Sequence, residues 1–289
     1  MPLIQFFLYS EVSVLLCALA LSWSSLSLLS PSAPPSLVIL IGSATFLFYT
    51  LERNLTLPPP GQSIFPEKSR WLKEHRGLNF FLMALSGALT LGLATKLSPT
   101  GLGSFLLLAG FALCYSIIKL PQPKQDLRPP QGLKRLPWAK SGLMVLIWTY
   151  MTLLLPALEA GSAVQLDRAW VLAALWGSWV FSNTLLFDIR DLGVDQASGC
   201  TTFAAKLGRT RAHQWIDRNI WFQALLLLGY LWAYQELVPV LAMALTSVSF
   251  LGCNRYLQKT KQAGLPFYIA ADLTLVLPAF ALALYASVS

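Results

Sequence analysis

Apolar stretches long enough to cross a lipid bilayer recur along almost the whole sequence of 289 residues. A helical crossing needs about 20 consecutive, largely apolar residues. With 55% hydrophobic and only 12% charged residues, the chain cannot present the surface of an ordinary soluble protein. The pattern predicts an all-α integral membrane protein with nine transmembrane helices, at 5–27, 36–51, 78–97, 102–119, 141–158, 169–187, 217–234, 237–254 and 266–286.

The basic residues are concentrated in alternate connections between these spans. Of the 21 Lys and Arg residues, about 19 fall after the second, fourth, sixth and eighth spans, which are expected to face the cytoplasm by the positive-inside rule. The amino terminus and the acidic segment after the sixth span are then cytoplasmic, and the carboxy terminus lies on the opposite side. The net charge of +8 is therefore attributed to topology and to contact with membrane lipid, and no nucleic-acid partner is expected.

The chain is expected to form one transmembrane domain, 1–289, with cytoplasmic cap loops near 52–77, 119–140 and 188–216. Within the first of these, Pro58, Pro59 and Pro60 prevent a continuous helix. The following stretch, 66–76, mixes charged residues with Trp71 and Leu72, which predicts a short amphipathic helix.

Three carboxylates follow the sixth predicted span. Asp188, Asp191 and Asp195 are separated by three and four residues, so they share one face of a helix. Oxygen ligands of this kind suit a hard divalent cation such as Mg²⁺. Ionisable groups at the end of a membrane span are also functional candidates by default, because placing them there is costly.

The run from Asp188 to Thr202, followed by Leu207 and Gly208, resembles the second aspartate-rich motif of the UbiA-type intramembrane prenyltransferases. The resemblance implies a bundle of nine helices around a central cavity, with two acidic motifs at the cytoplasmic ends of helices two and six. It also implies Mg²⁺-dependent transfer of a prenyl group from a prenyl diphosphate to a lipophilic, quinone- or pigment-like acceptor.

The first acidic motif of that family is largely replaced in this chain. The matching segment, 48–56, keeps Glu52, whereas Tyr49 and Thr56 stand at the flanking aspartate positions. Since metal clamps stabilise the leaving diphosphate, this departure predicts reduced activity. The alternative is a non-catalytic isoprenoid-, quinone- or pigment-binding protein that serves in membrane assembly or as a carrier, with a membrane protein as partner.

The resemblance also assigns roles to individual residues. The catalytic and metal-binding set is expected to be Asp188, Asp191, Asp195 and Glu52, and the substrate-binding set Arg190, Lys119, Arg53, Asn183, Tyr115 and Asp272. Three of these assignments keep an alternative, and the first concerns Lys119, because the matching family segment can instead be aligned with Lys134 and Arg135. Arg53 either pairs with Glu52 or binds phosphate, and Asp272, roughly 12 Å into the ninth span at a helical rise, is either a site residue or a structural polar contact.

Overall fold

The computed structural model describes residues 2–29, 34–56, 65–117, 139–161, 164–198, 202–260 and 264–288. These ranges are helical almost throughout and contain no strand. Their α-helices are α1 Pro2–Tyr9, α2 Val12–Leu29, α3 Pro35–Thr56, α4 Pro66–Glu74, α5 Arg76–Ala94, α6 Pro99–Ile117, α7 Ala139–Thr149, α8 Leu155–Ala160, α9 Leu166–Ser198, α10 Phe203–Leu207, α11 Arg209–Tyr234, α12 Leu237–Thr260, α13 Leu265–Leu273 and α14 Leu277–Val288.

Most of the predicted spans lie on helix where the structure describes them, but the first, 5–27, is interrupted at Ser10 and Glu11 between α1 and α2, and the third, 78–97, extends past the end of α5 at Ala94. Seven stretches are long and apolar enough to cross a membrane: Val12–Leu29, Pro35–Leu55, Arg76–Ala94, Ser141–Ala160, Leu166–Gly193, Leu237–Thr260 and Leu265–Tyr285. The fourth predicted span corresponds to a shorter apolar helix, Pro99–Leu113, and the seventh lies within α11, which carries several charges. An all-helical integral membrane protein is thus confirmed, whereas the count of nine crossings remains a prediction.

Helix α9 is the packing centre of the bundle and contacts α7, α10, α11, α12 and α13. Trp176 and Trp179 on this helix are fully buried, with ring centroids 4.8 Å apart. The Trp179 indole donates a hydrogen bond of 3.1 Å to Ser247 Oγ on α12, which satisfies its polar atom inside the core. These two large side chains therefore hold α9 against its neighbours.

Helix α9 also continues beyond the predicted span, to Ser198. The acidic motif is therefore part of a helix of 33 residues that keeps its side chains at regular helical offsets. The predicted cap near 188–216 is accordingly helical wherever it is described, through α9, α10 and α11. The predicted loop at 119–140 lies outside the described residues except for the first two residues of α7.

The predicted amphipathic helix is α4. Its Trp71 and Leu72 are buried, and Trp71 contacts the rings of Phe6 and Tyr9 on α1. The Tyr9 hydroxyl donates a hydrogen bond of 3.0 Å to Glu67 Oε2. Helices α1 and α4 together form the amino-terminal cap of the bundle, and α5 begins directly after it.

A π-helical turn, Tyr150–Leu154, separates α7 from α8. A 3₁₀ turn, Thr274–Val276, likewise separates α13 from α14. Such π turns are rare and are frequently found at functional sites. Both irregular turns contribute residues to the central cavity.

Candidate functional site

A cavity of about 670 Å³ lies between α2, α3, α5, α6, α7, α9 and α13. Its volume is in the range of small-molecule sites, about 300–1,000 Å³. Most of the wall is apolar and includes Leu47, Phe48, Leu108, Ala112, Ile147, Val180 and Leu275. Leu91 and Leu106 line the cavity, and they are 74% and 58% exposed. The cavity therefore reaches the surface of α5 and α6 that faces lipid.

One end of the cavity is strongly polar. This end is formed by the residues around the beginning of α2, the end of α3, one side of α4 and the last turns of α9. The charged side chains at this end are Glu11, Glu52, Arg53, Lys68, Arg190, Asp191 and Asp195. The cavity thus joins a long apolar space to a charged end, as an amphipathic ligand requires.

On the α9 side, Asp191 and Asp195 both line the cavity. Arg190 binds the Asp191 carboxylate with two nitrogens, Nε to Oδ1 and Nη2 to Oδ2, the latter at 2.8 Å. The Arg190 guanidinium also lies over the rings of Phe65, Phe187 and Tyr268, at 4.6 to 5.6 Å from their centroids. Bidentate pairing and contact with aromatic faces both restrict a guanidinium, so Arg190 and Asp191 are held in defined positions.

Asp188 is placed differently from the other two aspartates. It is fully buried and its Oδ2 accepts a hydrogen bond of 3.0 Å from Ser141 Oγ on α7. It does not belong to the cavity lining. Asp188 lies about 4.5 Å before Asp191 along α9 at a helical rise, at a level where its partner Ser141 on α7 covers this side of the helix. The structure therefore brings two of the three aspartates to the cavity.

This placement predicts a structural effect for Asp188. Replacing Asp188 with Ala removes a buried hydrogen-bond acceptor, and the expected loss in unfolding free energy is about 1–3 kcal/mol. Ser141→Ala should have a similar effect, because it removes the other partner. Thermal unfolding in detergent would measure both. If Asp188→Asn weakens Mg²⁺ binding as strongly as Asp191→Asn, Asp188 is a metal ligand after all.

A second polar cluster lies deeper in the cavity. Asn183 is about 12 Å from Asp191 along α9, and its Nδ2 donates a hydrogen bond of 2.9 Å to Asp272 Oδ1. Ser13 Oγ lies 3.5 Å from Asp272 Oδ2. Among the described residues, the buried Asn183 Oδ1 has no hydrogen-bond partner. These oxygens are therefore acceptors for a donor group on a ligand within the apolar part of the bundle.

The remnant of the first acidic motif is at the end of α3. Tyr49 lines the cavity, and its hydroxyl accepts a hydrogen bond of 2.9 Å from Trp148 Nε1 on α7. Glu52 also lines the cavity, and Thr56 is the last residue of α3. A phenol anchored to an indole thus stands where the resemblance leads us to expect a carboxylate.

Two charged residues of the site were missed in the sequence. The buried Glu11 Oε1 accepts hydrogen bonds from Arg53 Nε at 3.1 Å and lies 3.2 Å from Lys68 Nζ. Burial raises the pKa of the Glu11 carboxyl, but the two cations outweigh this effect and hold it below its ordinary value. Burial lowers the pKa of the Lys68 ammonium, against the opposing effect of Glu11.

Glu11 had a recognisable signal. It is the only Asp, Glu, Lys or Arg before Glu52, and a lone carboxylate within an apolar stretch is a functional candidate. Lys68 had no such signal, because it is one of several charges in an amphipathic segment. Of the remaining predicted residues, Lys119 lies outside the described residues, and Tyr115 lies on α6 with a side chain that is not described.

The fit of Mg²⁺ depends on the carboxylates at the polar end. Nowhere in the described ranges do three or more His, Cys, Asp or Glu side chains form a ready metal site. However, Mg²⁺ is usually held by one or two carboxylates together with substrate phosphates. The described lining also has five carboxylates and three cations, an excess of negative charge that attracts a metal ion. Asp191 and Asp195 therefore fit Mg²⁺ that arrives with a phosphorylated ligand.

The helix bundle has the architecture of UbiA homologues of known structure. Solved structures of UbiA homologues share it over nearly the whole chain. The apo UbiA homolog from Aeropyrum pernix K1 is 16% identical, with a TM-score of 0.67, and the match covers 96% of this chain and 98% of that chain. A UbiA homolog from Archaeoglobus fulgidus bound to GPP and Mg²⁺ is 11% identical, with a TM-score of 0.64 and coverage of 96% and 99%.

The same Archaeoglobus fulgidus homolog bound to DMAPP and Mg²⁺ matches with a TM-score of 0.57, at 12% identity and coverage of 96% and 99%. No protein-family model matches the sequence, and comparison with curated proteins gives no significant match. The resemblance inferred from the acidic motif is thus confirmed at the level of the fold: the chain has a UbiA-type fold with a divergent sequence.

Proposed function

We propose that the protein is a UbiA-like prenyltransferase, which transfers a prenyl group from a prenyl diphosphate to a lipophilic, quinone- or pigment-like acceptor with the help of Mg²⁺. The observation that carries this proposal is the combination of one apolar cavity, open to lipid, with an end that holds both carboxylates and cations. The prenyl chain would lie along the apolar wall, and its diphosphate would lie at the polar end.

Asp191 and Asp195 are the residues that would hold Mg²⁺. When bound, the metal ion neutralises negative charge on a diphosphate leaving group. Arg190 keeps Asp191 in place through its bidentate contact, and the aromatic rings around it keep water away from the guanidinium. Since preorganised charges are the main source of stabilisation in such a step, this rigid pair is assigned a central role.

The transfer breaks the bond between the allylic carbon and the diphosphate oxygen, and the diphosphate leaves with the electron pair. A nucleophilic atom of the acceptor then forms a bond to that carbon and loses its proton. Phe187 and Tyr268 line the cavity, but the Arg190 guanidinium lies over both rings, so they are assigned to holding Arg190 in place. Trp176 and Trp179 do not line the cavity and belong to the core of α9.

The deep polar cluster is proposed to orient the acceptor. Asp272 and Asn183 present oxygen acceptors about two helical turns beyond the head-group end. A hydroxyl group on a lipophilic acceptor would donate to them, since buried acceptors need a donor. This role predicts that the acceptor carries at least one O–H or N–H group near its reacting atom.

The test uses purified protein in nanodiscs with labelled prenyl diphosphates of several chain lengths. We expect Mg²⁺-dependent release of diphosphate, slow when no acceptor is present and faster when a suitable hydroxylated acceptor is added. A catalytically inactive protein would bind prenyl diphosphates, but it would release no inorganic diphosphate from a prenyl diphosphate of any chain length, with or without candidate acceptors. That result would exclude the prenyltransferase.

The second candidate function is a non-catalytic isoprenoid-, quinone- or pigment-binding protein that acts in membrane assembly or as a carrier. It is favoured by one observation, the replacement of a family carboxylate by Tyr49, whose hydroxyl is engaged by Trp148. Such a protein would use the same cavity for binding and would interact with a membrane-protein partner. Binding without release in the nanodisc assay would support it.

The proposed orientation places the polar end of the cavity on the cytoplasmic side, because the basic residues around it obey the positive-inside rule. Single cysteines in place of Glu74, the last residue of α4, and Thr95, directly after α5, test it because both positions are exposed. In right-side-out vesicles an impermeant maleimide should label Thr95→Cys but not Glu74→Cys. The reverse pattern would invert the orientation.

A further inference from the structure

The two sides of the polar end carry different charges. On the α9 side, Arg190 faces Asp191 and Asp195, so one negative charge is in excess. On the other side, Glu11 and Glu52 balance Arg53 and Lys68. A metal ion is therefore attracted to the α9 side, whereas the opposite side offers two cations at the place where the family has its first acidic motif.

Glu11 holds these two cations together. Arg53 Nε and Lys68 Nζ both contact the same oxygen, Glu11 Oε1, at 3.1 and 3.2 Å. The Glu11 and Lys68 side chains are only 8% and 14% exposed, so water does little to screen them. Glu11 lies in the connection between α1 and α2, Arg53 on α3 and Lys68 on α4, and their convergence at the cavity is a feature of the folded chain.

A diphosphate is a better partner for this cation pair than Glu11 is. It carries more negative charge than one carboxylate and offers several oxygens, and Arg and Lys both bind phosphate through charge-assisted hydrogen bonds. Glu11 then serves as a resident counter-anion, which keeps Arg53 and Lys68 in place before a ligand binds. The bound head group competes with it for the same two cations.

We propose that the polar end is a one-metal head-group site, in which Asp191 and Asp195 hold a single Mg²⁺ while Arg53 and Lys68 bind the diphosphate directly from the opposite side. This inference rests on the proposed function and specifies how the substrate is bound. Direct cation contacts replace a second metal ion at Glu52, and they account for the replacement of the flanking carboxylates by Tyr49 and Thr56.

The decisive measurement counts metal ions without turnover. Protein in nanodiscs is saturated with geranyl thiolodiphosphate, a slowly reacting analogue, and bound Mn²⁺ is counted by electron paramagnetic resonance. We expect one Mn²⁺ per protein. Two bound Mn²⁺ ions per protein would contradict the one-metal site and leave the prenyltransferase proposal intact. One bound Mn²⁺ ion, together with no release of diphosphate from any prenyl diphosphate tested, would support the one-metal site and contradict the prenyltransferase proposal.

Lys68→Met tests the direct contact, because it keeps most of the apolar stem and removes the charge. We expect the affinity for geranyl thiolodiphosphate to fall about 10- to 100-fold, the scale of losing one charged hydrogen bond, with the Mn²⁺ count unchanged. Arg70→Met is the matched control, since Arg70 lies on the same helix, is exposed and does not line the cavity. Equal affinities in the two variants would contradict the proposal.

Glu11→Gln tests whether Glu11 is a counter-anion for Arg53 and Lys68 or binds the ligand itself. Loss of its charge frees Arg53 and Lys68, so the affinity for geranyl thiolodiphosphate should rise several-fold in a protein that is less stable to heat. A lower affinity in folded Glu11→Gln would mean that Glu11 itself binds the ligand or its metal ion, which the proposal excludes. If this variant does not fold, the Mn²⁺ count and the affinity of Lys68→Met for geranyl thiolodiphosphate test the proposal.

Discussion

Asp191→Asn should lower the rate of diphosphate release about 100- to 1,000-fold, the scale of losing one preorganised electrostatic contact in an active site. The substitution removes a charge from the proposed Mg²⁺ ligands and leaves Arg190 without its bidentate partner. The rate with geranyl diphosphate in nanodiscs, followed across a Mg²⁺ titration, measures the effect. A higher Mg²⁺ concentration should restore part of the release rate if the loss is caused by weaker binding of Mg²⁺.

Asp167→Asn is the matched control for that experiment. Asp167 is an aspartate on the same helix, in the first turn of α9, and accepts a hydrogen bond from the Tyr234 hydroxyl. It does not line the cavity, so the release rate should stay within about twofold of the parent. Equal rates for the parent and Asp191→Asn would remove Asp191 from the metal site.

Asp272→Leu should lower prenyl transfer to the acceptor about 100-fold while leaving the binding of the prenyl diphosphate nearly unchanged. The leucine removes the acceptor oxygens of the deep cluster and leaves Asn183 without its partner, so a hydroxylated acceptor loses its contacts in a medium of low polarity. The measurement compares acceptor-dependent product formation with the binding of geranyl thiolodiphosphate.

Asp272→Asn provides the conservative comparison, because the amide keeps one acceptor oxygen at similar size. It should retain more transfer activity than Asp272→Leu. If both variants bind the diphosphate poorly, Asp272 supports the head-group end or the packing of α13, and it has no particular role toward the acceptor.

The helices could be predicted from the sequence because each depends on local properties. Long apolar stretches predicted most of the membrane spans. The mixture of charged and apolar residues around Trp71 predicted α4, which the structure contains at Pro66–Glu74. The offsets between Asp188, Asp191 and Asp195 agree with their position on one helix, but they did not show that Asp188 lies outside the cavity lining. Backbone hydrogen bonding and hydrophobic periodicity are short-range, so one chain segment carries the necessary information.

The composition of the site depends on contacts between distant segments. Helical offsets cannot show that Ser141, 47 residues away, covers Asp188, or that Tyr49 binds Trp148 across 99 residues. The pairing of Arg53 is a further case, because its neighbours in the sequence do not show that its Nε donates to Glu11, 42 residues away. Pairing depends on how helices dock, and the pattern of a single segment does not encode it.

The π turn at Tyr150–Leu154 has a consequence for the angular phase of α7. An α-helix turns by about 100° per residue, whereas the wider i→i+5 turn takes in one extra residue, so α7 and α8 keep nearly the relative phase that they would have in a regular α-helix one residue shorter. Ser141 and Trp148 both lie before the turn. The turn therefore accommodates one extra residue between α7 and α8 while Ser141 and Trp148 still face Asp188 and Tyr49.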